Sequence, residues 1–384
     1  MAREAINAAG GAWVDDCLSL RDRSLIVVAA LVAQGGVDPR LRGHLRWAVD
    51  HGATRDELEA LITLLAVYAG YPRASTAMEL LRDELGPGTD RRILQMTDRP
   101  LVAEGATEEV HERVYVIPDR RVEFVPNVGI VVGDDALLVI DTAMGAENGA
   151  RVLAEARRIG GDRKLFLTTT HFHPEHAFGA RPFKPEATYI ANRAQAEELA
   201  DKGPEYVEMF SGFGPALAEL LADVELVQPE IAYEGEGARL DLGGIAVELL
   251  YYGSAHTRGD QLVFLPEQRI LFPGDLVENR FLPIFPDADA VGGRWLALLD
   301  RIEALKPALI VPGHGAVGDL GLVHQLRKYL TDVRARVETL RSDGRSLDEI
   351  EATVDEEMRS RYSDWDNEMW IGSAVKSFHA EFAG

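Results

Sequence analysis

The sequence predicts a two-domain protein in which an all-α segment precedes a larger α/β segment. Three observations support this prediction. The chain has 384 residues, which is long for one domain and suits two. Its first 95 residues space their apolar side chains as helices do. Beyond them, short apolar runs of β-branched residues end in glycine-bearing loops, as strands with both sheet faces covered do.

The boundaries follow from composition. We expect a helical domain over residues 1–90, a linker over 91–109, an α/β domain over 110–320 and a helical extension packed on it over 321–384. In the first domain the predicted helices are 23–34, 40–51, 55–70 and 73–85. Thr54 and Glu57 form a capping box, Pro72 suits a helix start, and Gly86 begins a stop signal.

The charge balance excludes several classes of partner. A net charge of −23 argues against nucleic acid and against anionic membrane surfaces. The longest apolar runs fall short of the roughly 20 residues that a membrane span needs. The amino terminus lacks a signal-peptide pattern, so we expect a cytoplasmic protein. The single cysteine, Cys17, excludes a disulfide scaffold and lies far from the motifs described next.

The segment 170–176, with the sequence THFHPEH, holds three imidazoles and a carboxylate directly after the predicted strand 165–169. Such a loop can hold a metal rigidly while leaving it accessible. Imidazole favours Zn, Fe, Mn or Co, and the carboxylate favours a second ion. Three further strands end in loops that carry one candidate ligand each, namely His256, Asp275 and His314.

The order His-x-His-x-acid-His, His, Gly-Asp and Gly-His resembles the metallo-β-lactamase superfamily over residues 108–320, as does the predicted hairpin 127–142. The resemblance implies an αββα sandwich, with two sheets face to face, helices outside and metals at one edge. It also implies two metal subsites that share one carboxylate. His171, His173 and His256 would bind the first metal, His176, His314 and Glu175 would bind the second, and Asp275 would bridge them.

Glu175 departs from the superfamily pattern, which usually has aspartate at this position. The extra methylene moves the carboxylate by about 1.5 Å, whereas metal–oxygen distances hold to about 0.2 Å. The loop can shift so that Glu175 still binds, the second subsite can weaken, or Glu175 can act as a general base. We favour the first outcome, because His176, Asp275 and His314 are all present to hold a second ion.

These ligands imply a hydrolase. Two divalent ions, with Zn expected and Mn or Fe as alternatives, would lower the pKa of a bound water to near 7 and polarise a carbonyl. Glu175 and Asp275 are the expected catalytic acids. A bridging acid is typical of superfamily members that resemble glyoxalase II, lactonases, phosphodiesterases and alkylsulfatases. It therefore favours a small-molecule ester, thioester or lactone as the substrate and leaves β-lactams open. The alternatives are a mononuclear iron dioxygenase of the same fold and a binding protein with a vestigial site.

Candidate substrate-binding residues follow the strands that carry the metal ligands. Arg280 would clamp a carboxylate, and Asn279 lies beside it in an apolar loop. Tyr252, or its neighbour Tyr251, would donate a hydrogen bond to an oxyanion. A structural role for each is the simpler interpretation.

The first domain resembles the carboxymuconolactone decarboxylase family over residues 15–86. The matching stretches are 21–31, 44–48, 52–59 and 66–74. The related peroxidases use a Cys-x-x-Cys pair, which is lacking here, so thiol chemistry is excluded. His44 and Glu57 would be the catalytic candidates in a decarboxylase, although packing and capping are simpler roles.

Members of that family assemble as trimers or hexamers. The resemblance therefore implies a homo-oligomer formed through the helical domain, with residues 58–71 between subunits. It also suggests a bifunctional alternative, in which one domain decarboxylates a carboxymuconolactone and the other opens the resulting enol-lactone.

Overall fold

The structure is a computed structural model that describes residues 18–35, 38–85 and 96–382. Cys17 and the predicted stop signal at residues 86–88 lie outside these described residues. The chain divides into two compact units, Met1–Leu94 and Gln95–Gly384. The predicted arrangement of an all-α region followed by an αββα sandwich and carboxyl-terminal helices is confirmed.

The first unit contains four helices in its described part, as the sequence predicted. They are α1 (Leu20–Gln34), α2 (Asp38–Asp50), α3 (Arg55–Ala69) and α4 (Tyr71–Leu85). Ser19 caps α1, and the capping box of Thr54 and Glu57 begins α3. Apolar side chains from all four helices form one core, which includes Val28, Leu45 and Leu58 at 0% exposure.

The second unit contains two sheets. The first has seven strands in sequence order, β1 (Glu108–His111), β2 (Val114–Ile117), β3 (Val128–Val132), β4 (Ala136–Ile140), β5 (Lys164–Thr168), β6 (Ala187–Asn192) and β7 (Ile231–Tyr233). The pairs from β1 to β4 are antiparallel, and those from β4 to β7 are parallel. In the parallel part, Ile140 pairs with Thr168, so β4 and β5 end side by side.

The second sheet has five strands in the order β12-β11-β10-β9-β8. They are β8 (Gly237–Asp241), β9 (Ala246–Tyr251), β10 (Gln261–Leu265), β11 (Ile270–Gly274) and β12 (Leu309–Pro312). Antiparallel pairs link β8 to β11, and β12 is parallel to β11. The strands β9, β11 and β12 therefore end at the same edge, where their connecting loops meet.

Helices cover both outer faces. They are α5 (Gly145–Gly160), α6 (Pro174–Ala177), α7 (Arg193–Ser211), α8 (Pro215–Leu221), α9 (Gly292–Ala304), α10 (Gly321–Ser342), α11 (Leu347–Arg361) and α12 (Ile371–Glu381). Side chains of α5 pack on the first sheet, and those of α9 to α12 pack on the second. Between the sheets lies a separate apolar core that includes Val131, Leu249 and Phe272.

Two local features complete the fold. Residues 96–107, which were predicted to be part of the linker, belong to the second unit. The Val102 amide, for example, donates to Asn148 Oδ1 at 2.9 Å. Among the described residues, no helix combines the length and the apolar character that crossing a membrane requires.

Candidate metal centre

The loops at one edge of the sandwich bring all seven sequence-predicted ligands together. The loop after β5 carries His171 and His173, and α6 carries Glu175 and His176. The remaining three follow β9, β11 and β12, and they are His256, Asp275 and His314. All seven side chains are buried. Each ligand thus depends on a strand end for its position.

Two glycines allow the loops to approach one another. Gly274 has φ +57, a conformation that favours glycine, and a Cβ there would press on the side chain of Thr170. A Cβ on Gly313 would overlap Asp275 Oδ1. Both positions therefore require glycine if Asp275 is to lie between the loop after β5 and the loop after β12.

The first group of candidate ligands comprises His171, His173, His256 and Asp275. Its ligand atoms all lie within 4.8 Å of one another. His173 Nδ1 lies 3.0 Å from His171 Nε2 and 3.2 Å from His256 Nε2. Asp275 Oδ2 lies 3.7 Å from His171 Nε2 and 3.8 Å from His256 Nε2. Four donor atoms thus face a common point.

The second group comprises Glu175, His176, Asp275 and His314, with the same 4.8 Å limit. Asp275 Oδ1 lies 3.2 Å from His176 Nε2 and 3.9 Å from His314 Nε2. The two oxygens of Asp275 are therefore divided between the two groups. The longer Glu175 side chain still reaches the second group. This is the geometry expected if the loop shifts so that Glu175 can still bind the second metal.

The outward nitrogens of three rings fix their tautomers. His256 Nδ1 donates to the carbonyl of Ile284 at 2.9 Å, and His176 Nδ1 faces Asp141 Oδ2 at 2.9 Å. His171 Nδ1 lies 3.1 Å from Thr170 Oγ1, a hydroxyl that bonds to Asp141. In its neutral form, each of these three rings would carry its proton on the outward Nδ1 and present the lone pair of Nε2 inward. Lone pairs that face one another at such distances suit a cation between them.

Electrostatics agree with a cation-binding donor set. Burial is the largest influence on the pKa values of four imidazoles, and it lowers all of them. These imidazoles belong to His171, His173, His256 and His314. Neutral imidazole is the form that binds metals. Burial also raises the pKa of Glu175 to about 7, and its Oε2 has no hydrogen-bond partner among the described residues. A buried, unpartnered carboxylate is costly unless a cation lies beside it.

Asp275 and His176 behave differently, since each acts on the pKa of the other through its opposite charge. Burial alone would raise the pKa of Asp275, but the imidazoles of His176 and His314 reverse this and hold it well below its usual value. Burial would likewise lower the pKa of His176, whereas Asp275 and Asp141 raise it well above. Asp275 is therefore a carboxylate at neutral pH.

Sequence reasoning missed several residues that position the ligands. Asp141 follows β4 and accepts from the Thr170 amide at 2.7 Å, beside its contact with His176. Asp260 accepts from the amides of His256 at 2.8 Å and Thr257 at 2.9 Å. The sequence showed Asp141 directly after the predicted strand that became β4. The pairing of β4 with β5, which places Asp141 at the metal-bearing edge, left no local signal in the sequence.

The predicted substrate-binding residues lie in two different places. Tyr252 lies on the outer face of the second sheet, where the Arg301 guanidinium stands 3.7 Å from its ring centroid. Asn279 Nδ2 donates to Ala316 O at 2.7 Å, a structural contact. Arg280 is exposed and pairs with Asp364 at 3.4 Å. Only the last two adjoin the centre, through the hydrogen bond from the Asn279 amide to His314 O at 3.0 Å.

Arg280 and Asn279 line a surface cleft beside this hydrogen bond. The cleft has a volume of about 740 Å³, and Arg120, Arg121 and Gly315 contribute to its wall. Each of its three arginines pairs with an exposed or half-exposed acid, so an anion entering the cleft would compete with those acids.

The decarboxylase candidates occupy structural positions in the first unit. Glu57 Oε2 accepts from the Thr54 amide at 2.8 Å, and its other oxygen pairs with Arg21. His44 packs edge-on against Trp47, with ring centroids 5.0 Å apart. These contacts agree with the capping and packing roles that the sequence favoured.

Comparison with known families accords with this geometry. The family model described as "Metallo-beta-lactamase superfamily" matches residues 121–314, about half of the chain. The chain therefore belongs to the metallo-β-lactamase superfamily, among the hydrolases of that fold. The model of the "Carboxymuconolactone decarboxylase family" matches residues 2–83.

Curated relatives match one part of the chain or the other. A linear primary-alkylsulfatase from Pseudomonas sp. (strain ATCC 19151) is 27% identical over 47% of this chain, and the match spans 40% of the alkylsulfatase. A metallo-beta-lactamase type 2 from Bacillus cereus is 27% identical over 52% of this chain and 72% of its own. A 4-carboxymuconolactone decarboxylase from Acinetobacter baylyi (strain ATCC 33305 / BD413 / ADP1) is 40% identical over 19% of this chain and 54% of its own.

Among solved structures, a stereoselective inverting sec-alkylsulfatase from Pseudomonas sp. superposes with a TM-score of 0.56. It is 17% identical and covers 73% of this chain and 50% of its own. At this identity the likeness concerns the fold.

Proposed function

We propose that the chain is a dinuclear metal-dependent hydrolase acting on a small-molecule ester, lactone, thioester or β-lactam. The observation that carries the proposal is the pair of buried donor groups that share the two oxygens of Asp275. A shared carboxylate suits two ions held a few Å apart. Since one relative is named an alkylsulfatase and others are metallo-beta-lactamases, sulfate esters belong among the substrates to be tried.

The residues named above would hold the ions. His171, His173 and His256 form the first subsite, Glu175, His176 and His314 form the second, and Asp275 joins them. Divalent ions bound there would supply a water acidic enough to ionise near pH 7 and polarise the scissile carbonyl or ester. Zn suits the imidazole-rich first subsite, and Mn or Fe would also be accepted.

The protein's own part is to orient and enclose. Asp141 and Asp260 hold the loops that carry His176 and His256. On the His173 side, the Tyr206 ring stacks on the imidazole at a centroid distance of 5.3 Å, which limits water there. In the cleft beside Asn279, Arg280 would bind an anionic group of the substrate by displacing Asp364.

A substrate panel with metal analysis tests the proposal. The purified chain, assayed on carboxylic esters, lactones, thioesters, sulfate esters, phosphodiesters and β-lactams, should turn over at least one class and retain about two divalent ions. Exhaustive chelation should abolish that turnover, and Zn or Mn should restore it. Turnover that survives ion removal would contradict the proposal, whereas one bound Fe with oxygen uptake would favour the dioxygenase alternative.

We further propose that the helical unit assembles copies of this chain. Among the described residues, six of the ten exposed large apolar side chains belong to this unit, and they are Leu18, Leu20, Ile26, Trp47, Val49 and Leu64. Exposed apolar side chains gathered on one unit are candidates for an interface. Leu64 is 56% exposed and lies in the stretch 58–71 that the sequence assigned to subunit contacts.

Leu64→Glu should therefore lower the mass of the assembly, because a charge would be buried in an apolar interface. Sedimentation velocity over a range of protein concentrations measures this. Met369→Glu, a change at a 48% exposed apolar side chain of the second unit, is the matched control and should leave the mass unchanged. A wild-type chain that sediments as a monomer would contradict the proposed assembly.

A further inference from the structure

Lys202, on α7, donates to three carboxylates, and these three contacts form the Lys202 clamp. Its ammonium lies 3.0 Å from Glu198 Oε1, 2.6 Å from Asp287 Oδ2 and 2.7 Å from Asp289 Oδ2. Arg258 also faces Asp289, but at 3.7 Å, so Lys202 makes the closer contact. Burial would lower the pKa of Lys202, whereas the three carboxylates hold it above its usual value. Without this cation, three like charges would surround one point, and the fully buried Glu198 would lose its counter-charge.

Glu198 ties α7 to the loop that follows His256. Its Oε2 accepts from the amides of Arg258 and Gly259, each at 3.1 Å. A Cβ on Gly259 would overlap the backbone of Gln195, so this loop packs directly on the helix. The Glu198 carboxylate therefore fixes the chain two residues after a candidate metal ligand.

The two aspartates of the clamp tie a second segment to the same helix. Both belong to the stretch 284–291, which lies between β11 and α9. The Ile284 carbonyl in this stretch accepts from His256 Nδ1 at 2.9 Å. At its other end, the Val291 amide donates to Ala255 O at 2.9 Å. Because the ammonium holds this stretch on α7, it acts on the orientation of the His256 ring.

The same helix contacts the imidazole of His173. The Tyr206 ring, about one turn after Lys202, stacks on this imidazole at a centroid distance of 5.3 Å. The Tyr206 hydroxyl lies 3.5 Å from Asp287 Oδ2. The Lys202 ammonium lies 5.7 Å from the ring centroid of Phe172, the residue before His173. The clamp therefore adjoins a second imidazole of the first subsite.

We propose that Lys202 is a positioning residue for the first metal subsite. Its ammonium holds both segments on α7 and so fixes the directions of the His256 and His173 rings. The inference rests on the proposed metal centre. In the second subsite, His176 is oriented by Asp141, which follows a different strand. Loss of the clamp should therefore weaken the first ion and spare the second.

Titration of the ion-free, full-length chain with Zn²⁺, followed by calorimetry, tests this. Lys202→Met keeps the length of the side chain and removes its charge. It should weaken the ion of the first subsite by about tenfold or more, the usual effect of disturbing a group that orients a metal ligand, while the other ion binds as before. His314→Ala, which removes a ligand of the second subsite, identifies the binding step that belongs to each subsite.

Two further variants serve as controls. Lys202→Arg keeps the charge and should bind both ions nearly as the wild type does. Lys328→Met, at an exposed lysine of α10, also removes a pair with an acid four residues away, since Lys328 Nζ lies 2.6 Å from Asp332 Oδ2. It should leave both affinities unchanged.

A lysine with a merely structural role would give a different result. The ion-free Lys202→Met chain would then unfold at a lower urea concentration but, once folded, bind both ions as the wild type does, and this would overturn the inference. If Lys202→Met does not fold, Asp287→Asn combined with Asp289→Asn releases the stretch 284–291 and keeps the pair of Lys202 and Glu198. This double variant should weaken the same ion, and an unchanged affinity would overturn the inference.

The outcome for the proposed function is separate. A wild type that binds no ion would overturn both the metal centre and the role of Lys202. Two bound ions with the expected loss in Lys202→Met, but without turnover on the panel, would support the role of Lys202 and count against the hydrolase alone.

Discussion

Replacing Asp275 with asparagine should reduce turnover by roughly 10³-fold or more while leaving the chain folded. The carboxylate is the one group that both candidate subsites share, through Oδ2 at 3.7 and 3.8 Å and Oδ1 at 3.2 and 3.9 Å from four imidazole nitrogens. An amide keeps the shape but loses the charge and one oxygen ligand. Metal-ion catalysis is worth several kcal/mol, and about 1.4 kcal/mol corresponds to tenfold in rate.

The measurement is kcat/KM on the best substrate of the panel, with bound metal determined on the same sample. Asp162→Asn, at an exposed aspartate before β5, is the matched control and should retain wild-type turnover and metal content. A folded Asp275→Asn variant with wild-type kcat/KM would show that the shared carboxylate is not needed. In that case the hydrolysis would have to take place elsewhere in the chain.

The ligand-bearing loops could be anticipated because each follows an apolar strand. A buried strand is visible in sequence, and a histidine or aspartate directly after it must lie at a sheet edge. What the sequence did not contain was which edges meet. The pairing of Ile140 with Thr168 brings Asp141 to His176, and this depends on strand order rather than on any local pattern.

Tyr252 and Glu278 illustrate why the surroundings of loop side chains are harder to predict than strands. Tyr252 follows β9 closely, but its ring packs under Arg301 on the helix-covered face. Glu278 lies in a loop that the sequence characterises only as apolar and aromatic around Asn279 and Arg280. Glu278 is 2% exposed, and its neighbours bond to the loop of His314, from the Gly313 amide to Val277 O and from the Asn279 amide to His314 O. No local signal in the sequence specifies these contacts.

Replacing Trp295 with alanine should destabilise the second unit by about 3–5 kcal/mol, the usual cost of removing a large buried aromatic side chain. Trp295 is 0% exposed and lies on α9. Its indole Nε1 donates to Leu276 O at 3.0 Å, in the residue after Asp275. Its ring lies 5.4 Å from that of His256 and 5.2 Å from that of Phe285.

Trp295 therefore supports two ligand loops from behind, and its loss should weaken metal binding as well as the fold. Trp295→Phe separates these effects, because it keeps an aromatic ring against His256 but leaves the Leu276 carbonyl unpaired, at a cost of about 1–3 kcal/mol. Urea unfolding gives the free energy of unfolding, and metal content after dialysis gives the second effect. Unfolding free energies and metal contents equal to wild type in both variants would mean that the helical layer does not support the centre, and that the ligand loops are held by the sheets alone.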